Sequence, residues 1–128
     1  MRRRRGFSLI ETTVAVALLA VIIVTILGAF SAITIAARRH QQETTLDLVT
    51  RQDAEYIKSQ AYSATPAATP YTNIVVAGYS FAYQTLYYDP VAKTFLAGNA
   101  DNGLQMLVLT VTGPNNAKET LDFLKVQP

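Results

Sequence analysis

A single acidic residue, Glu11, lies inside an apolar run that otherwise extends from Phe7 to Ala37, directly behind four arginines at positions 2 to 5. A carboxylate deep in a bilayer costs roughly 2 to 3 kcal/mol on insertion scales, so we expect this acid to have a partner and a function. A helix that is apolar on every face must be covered by lipid or by other protein. The run is therefore not the surface helix of an ordinary globular domain.

The length of the run predicts a membrane-spanning helix with residues to spare. Its 31 residues extend roughly 46 Å as an α-helix, whereas the hydrocarbon core of a bilayer is about 30 Å thick. The arginine cluster at positions 2 to 5 predicts a cytoplasmic N-terminus and an extracytoplasmic C-terminal domain, outweighing Arg38 and Arg39 at the far end. We expect these two arginines and His40 to anchor at the membrane interface rather than to contact nucleic acid.

The remaining residues, 38–128, suffice for one small domain. Without residues 1–6 the chain has seven basic and nine acidic residues, and this balance does not favour nucleic-acid binding. The sequence contains no cysteine, which excludes disulfides and thiolate metal sites.

Three common kinds of segment share these features. A secretory signal peptide with cleavage near Ala29-Phe30-Ser31-Ala32 is one, although Glu11 is unusual in its apolar region. A plain signal anchor is the second. A helix that pairs through small residues is the third, but the sequence has no G-x-x-x-G.

The segment Gly6-Phe7-Ser8-Leu9-Ile10-Glu11-Thr12 and the apolar run behind it resemble the signal of type IV filament prepilins. That superfamily comprises type IV pilins, minor pilins and type II secretion pseudopilins. The resemblance covers about residues 1–37 and requires the glycine, the phenylalanine, the acid and the apolar run together.

The resemblance implies a leader at residues 1–6, a transmembrane and polymerisation helix at 7–37, and an extracytoplasmic head at 38–128. A prepilin peptidase cuts between Gly6 and Phe7 and methylates the new amine of Phe7 in this family, and Glu11 then guides assembly. The implied partners are that peptidase, other pilin or pseudopilin subunits, an inner-membrane assembly platform, and membrane lipid before extraction. The implied location is the inner membrane and then a filament used in protein secretion or as a pilus.

Two departures from the family pattern favour a minor pilin or pseudopilin over a major pilin. Many major pilins have a proline partway along the apolar helix, where this chain has Gly28. Many also have a C-terminal disulfide, which this chain cannot form. The alternative function is a membrane-anchored or secreted binding domain with an ordinary signal anchor or signal peptide.

The residues after Ala37 predict an α+β head. The helix is expected to run from about Ser8 to Tyr62 and to become amphipathic, with a stripe of Leu46, Val49, Tyr56 and Ile57 that Asp53 interrupts, and with an exposed Asp47–Arg51 pair. A proline-containing loop at 63–72 precedes the sheet region at 73–128. Four strands are expected there in an antiparallel meander, at 79–87, 93–96, 104–112 and 120–126.

The sequence predicts no enzyme, cofactor, metal or small-molecule substrate. One histidine and no cysteine leave no metal cluster or nucleophilic dyad of the common kinds, and no phosphate-binding glycine loop occurs. The turn from Asn99 to Gly103 has oxygen ligands of the type that calcium prefers, but its spacing differs from the EF-hand pattern and Asn-Gly favours a turn by itself. The alternating aromatic residues at 79–87 indicate a sheet core.

Overall fold

The computed structural model describes Gly6, residues 8–64 and residues 69–128. The predictions for Arg2 to Arg5, Phe7 and Pro66 fall outside the described residues. The chain forms two compact units, Met1–His40 and Gln41–Pro128, and each is described by itself.

Helix α1 runs from Leu9 to Ser59 without a break and is 51 residues long. The predicted helix from Ser8 to Tyr62 is confirmed apart from its last turn. Its apolar part lies in the first unit, where Gly28 is an ordinary helical residue with open space around it. By length and composition, α1 is able to span a membrane.

The second unit contains the amphipathic end of α1 and a four-stranded sheet of β1 (Ser80–Asp89), β2 (Thr94–Leu96), β3 (Leu104–Thr112) and β4 (Lys118–Val126). All neighbouring strands are antiparallel. A short 3₁₀ turn, Pro114–Asn116, joins β3 to β4. The α+β class and the four antiparallel strands are therefore confirmed.

The strand order is β2-β1-β3-β4, which differs from the order of the predicted meander. β3 pairs with β1 along eight residues, from Ser80 opposite Thr112 to Tyr87 opposite Gln105. β2 has only three residues, so it offers too short an edge for the nine residues of β3. The chain therefore passes from one side of β1 to the other between β2 and β3.

The core lies between the sheet and the C-terminal part of α1. The inward positions of β3 are fully buried, namely Leu107, Leu109 and Val111, as the alternation predicts. From α1, the buried apolar residues are Leu46, Val49, Ala54 and Ile57. The prediction for Tyr56 was wrong because this residue lies at the edge of the buried face, where its side chain is 44% exposed.

Candidate assembly site at the start of the helix

The first turn of α1 is closed by a reciprocal pair of hydrogen bonds between Ser8 and Glu11. The backbone N–H of Glu11 donates to Ser8 Oγ at 3.3 Å, and the backbone N–H of Ser8 donates to Glu11 Oε2 at 3.4 Å. This is a capping box, in which each side chain satisfies a backbone donor that the helix leaves free. Ser-x-x-Glu before an apolar run is the sequence signature of this motif, so the cap was predictable from the sequence although it was not predicted.

The capping box places the Glu11 carboxylate at the positive end of the helix dipole. A carboxylate accepts about four hydrogen bonds, and the Ser8 N–H occupies one of these positions. Glu11 is exposed, so the remaining positions face outward. The side chain is therefore able to bind a cation from outside the helix while it still caps its own chain.

Of the two residues predicted for processing, the structure describes Gly6 but not Phe7. Gly6 is exposed, and a Cβ built on it meets no atom of the described residues within 4 Å. Packing against the described part of the chain therefore does not require a glycine at this position.

The apolar segment of α1, residues 9 to 37, is exposed along its whole length. Leu9 is 87% exposed, and the large residues Ile22 and Phe30 are 52% and 64% exposed. Monomeric soluble proteins rarely expose contiguous apolar surface of this extent.

The threonines in this segment have satisfied hydroxyls. Thr13, Thr25 and Thr34 donate to the carbonyls of residues 9, 22 and 30 at 2.9, 2.8 and 2.9 Å. A hydroxyl without such a bond is costly in hydrocarbon. These three threonine side chains are thus compatible with an apolar environment.

In the second unit, Lys125 of β4 holds the end of α1. Its Nζ donates to the backbone carbonyls of Ile57, Lys58 and Gln60 at 2.9, 3.0 and 2.6 Å. These groups belong to the last turn of the helix and to the residue just beyond it, where carbonyls lack intrahelical partners and the dipole is negative. Burial lowers the pKa of Lys125 from its usual value.

The turn considered for calcium is instead part of a hydrogen-bonded network. Asp101 accepts hydrogen bonds from the Tyr62 hydroxyl at 2.5 Å, from the Gly103 N–H at 2.9 Å, and from Gln105 Nε2 at 2.6 Å. Burial raises the pKa of Asp101, but these three bonds outweigh it and the pKa is lowered overall. Three of the roughly four hydrogen bonds that the Asp101 carboxylate accepts are thus already made within the chain. The described residues contain no cluster of three His, Cys, Asp or Glu side chains suited to a metal.

A comparison with known protein families identifies the prokaryotic N-terminal methylation motif at residues 1–35. No curated protein and no solved structure matches the chain. The motif contains the glycine, the phenylalanine and the acid singled out above, and the long helix and antiparallel sheet fit the pilin fold. The chain therefore carries the signature of a type IV prepilin.

Proposed function

We propose that this chain is a minor pilin or pseudopilin, a structural and non-enzymatic subunit of a type IV pilus-like filament. Prepilin peptidase cuts it between Gly6 and Phe7 and methylates Phe7. The trimmed chain resides in the inner membrane with its head outside the cytoplasm. The assembly platform then extracts it into the filament. The observation that carries this proposal is an exposed apolar helix with one acid in its first turn.

The exposure of residues 9 to 37 supports a helix that is surrounded first by lipid and then by other subunits. Lipid covers an apolar helix before assembly, and the helices of other subunits cover it afterwards. The hydroxyls of Thr13, Thr25 and Thr34 are hydrogen-bonded within the helix and therefore suit both environments.

Glu11 supports a role in setting the position of each subunit along the filament. Cleavage after Gly6 creates a cation at the amine of Phe7, four residues before the acid in the sequence. Glu11 of one subunit binds the amine of a neighbouring subunit. Apolar packing then holds the helices together, and the charge pair fixes their relative axial position. A buried charge is tolerated when it is paired, and a misplaced subunit leaves it unpaired.

The open surroundings of Gly6 support cleavage at this position. Since packing against the described residues does not require a glycine there, its value lies in the unobstructed backbone that it offers to a peptidase. The absence of cysteine and the Gly28 position support a minor pilin or pseudopilin over a major pilin.

The capping box allows an experiment that separates the charge of Glu11 from its structural role. Glu11→Gln retains an amide oxygen that can accept the Ser8 N–H but removes the charge. Ser8→Ala removes the hydroxyl cap but retains the charge, at a cost of about 1 kcal/mol in helix stability. Filament incorporation of both variants and of Glu11→Ala is measured by immunoblotting of sheared filaments.

We expect Glu11→Gln and Glu11→Ala to be trimmed normally and to lose most incorporation, by about tenfold or more, whereas Ser8→Ala stays close to wild type. Normal incorporation of Glu11→Gln would contradict the charge-pair mechanism. Absence of the wild-type chain from sheared filaments would favour the alternative of an anchored binding domain whose helix has no assembly role.

A further inference from the structure

The four-stranded sheet of the head has two open edges. Within the described part of the chain, β2 and β4 are the outer strands, and no further strand pairs with either of them. An unpaired edge strand exposes a row of backbone N–H and C=O groups that can pair with another chain. We propose that β4 of one subunit pairs with β2 of an adjacent copy of this chain, so that the two sheets become one. This inference rests on the proposed function.

The strand directions allow this pairing between copies that have the same orientation. Each strand is antiparallel to its neighbour in the sheet, so β4 runs parallel to β1 and antiparallel to β2. When two heads with the same orientation lie side by side, β4 of the first therefore meets β2 of the second as an antiparallel pair. Such a contact uses two different surfaces of each copy, and contacts of this kind propagate into open filaments when the rotation between copies does not close a ring.

The end of β4 lacks the exposed charges that protect many open edges. Leu124 and Val126 are 54% and 63% exposed, whereas Lys125 between them is buried and binds the end of α1. Lysines on an exposed edge normally prevent pairing with another chain, so the inward position of Lys125 removes this protection. Two cavities of about 330 and 380 Å³ lie between α1 and this strand and are lined by its residues 121–123 and 124–126. The helix therefore leaves this edge accessible.

The residues of β2 are apolar on both faces of the sheet. Leu96 pairs with the buried Tyr87 and lies on the same face, yet it is 42% exposed because β2 is the last strand at this edge. Phe95 lies on the opposite face, where its ring centroid is 5.4 Å from that of Tyr88. The edge of β2 therefore offers an apolar residue to each face of a joined sheet.

One register matches the apolar residues of the two edges. In an antiparallel pair, placing Phe95 of one copy opposite Leu124 of the other also places Leu96 opposite Phe123. Phe123 belongs to the core face and Leu124 to the outer face, so each residue of β2 meets an apolar residue on its own face. A shift of one residue exchanges the faces, and a shift of two residues places Phe95 opposite Asp122. The apolar register is therefore the favoured one.

The short length of β2 limits the strength of this contact. A strand of three residues buries far less than the roughly 800 Å² per partner that a stable interface requires. The contact therefore does not hold two free chains together. It joins heads that the packing of their α1 helices has already brought side by side, where the second contact forms at a high effective concentration.

Disulfide trapping tests this contact, since the chain has no cysteine of its own. The full-length chain with both Phe95→Cys and Leu124→Cys is assembled into filaments, oxidised and separated by non-reducing electrophoresis. Residues directly opposite each other in an antiparallel pair have Cβ atoms about 4.5 to 5.5 Å apart, close to the span of a disulfide. Within one chain, β2 and β4 are three strand spacings or about 14 Å apart, so an internal disulfide cannot form. We expect a ladder of dimers, trimers and longer products.

The matched control combines Phe95→Cys with Thr120→Cys. Thr120 is exposed and lies on the same face of β4, four residues or roughly 14 Å from Leu124. We expect at least about fivefold more linked product from the 95 and 124 combination than from this control, because only the former pair lies within disulfide reach. Dimers from Leu124→Cys alone would show that two β4 strands pair with each other in opposite orientations. That result, or a ladder no stronger than that of the control, overturns this inference.

A charge at the same edge gives a second measurement that leaves Phe95 unchanged. Leu124→Glu is expected to reduce filament incorporation about fivefold, because the carboxylate would lie against Phe95 of the next copy. Thr120→Glu is expected to stay within about twofold of wild type, since this residue lies outside the paired part of β4. Normal incorporation of Leu124→Glu would also overturn this inference.

The two proposals fail in different ways. Filaments that contain the double-cysteine chain but give no ladder would overturn this contact and leave the filament function intact. Absence of the wild-type chain from sheared filaments would overturn the proposed function and this contact with it.

Discussion

Replacing Lys125 with methionine removes the ammonium that holds the end of α1 while keeping a side chain of similar length. Hydrogen bonds from a charged donor contribute about 1.5 to 3 kcal/mol each, and Lys125 makes three to backbone carbonyls. The net loss is smaller than their sum, because burial of the ammonium is itself costly and water reaches part of the freed carbonyls. We expect a loss of about 2 to 4 kcal/mol in the free energy of unfolding, a large part of the roughly 5 to 15 kcal/mol typical of a domain.

The assay is thermal unfolding of the full-length chain in detergent, followed by near-ultraviolet circular dichroism of the tyrosines. For a domain of this size, 1 kcal/mol corresponds to a change in Tm of about 4 to 8 °C, so a decrease of roughly 10 to 25 °C is expected. Lys118→Met is the matched control, since Lys118 is an exposed residue at the other end of the same strand. A Lys125→Met variant within about 0.5 kcal/mol of wild type would refute this account of how the helix end is held.

Three further predictions concern the head. Leu107→Ala, at a fully buried position, is expected to lower the free energy of unfolding measured in urea by about 2 to 5 kcal/mol. Leu124→Ala, at a position that is 54% exposed, is expected to lower it by less than about 1 kcal/mol, and equal losses would contradict the assigned core. Gly113→Ala is expected to cost about 1 kcal/mol or more, because its Cβ lies 3.1 Å from Tyr79 Cε1, and an unchanged denaturation midpoint would contradict this. Burial raises the pKa of Asp53, although the hydrogen bond from the Ile74 N–H lowers it in part. Because the pKa is higher in the folded state, protonation of Asp53 stabilises the fold, and this stabilisation is lost as the pH rises through the folded pKa. Asp53→Asn is therefore expected to be more stable than wild type at pH 7, and the difference in the free energy of unfolding is expected to decrease in acid. A difference that increases in acid would refute the direction of the pKa shift.

Much of the fold follows from periodicity in the sequence. The long apolar run predicts α1, and the alternation at Leu107, Leu109 and Val111 predicts the buried face of β3. These patterns reflect burial along one element, which is a local property of the chain.

Features that depend on pairing between distant residues were not predictable in the same way. The pairing of β3 with β1 depends on the length of β2, which local turn signals do not fix. In the sequence, Lys125 is an ordinary charged residue of a strand. Its burial depends on the carbonyls of Ile57, Lys58 and Gln60, which lie 65 to 68 residues earlier in the chain.

The candidate assembly site was only partly predictable. The position of Glu11 and its cationic partner follow from the resemblance to prepilins. The capping role of Glu11 requires the geometry of the first turn, where Ser8 and Glu11 exchange hydrogen bonds. This second role means that alanine at position 11 removes both a charge and a cap.

If a trimmed N-terminus supplies the cation for Glu11, the mass of the N-terminal peptide in assembled filaments reveals the cleavage and the methylation. The chain is recovered from sheared filaments, digested and analysed by mass spectrometry. We expect a peptide that begins at Phe7 and carries one methyl group on its amine. A peptide that begins at Met1, or a chain that begins near Ala32, would contradict it.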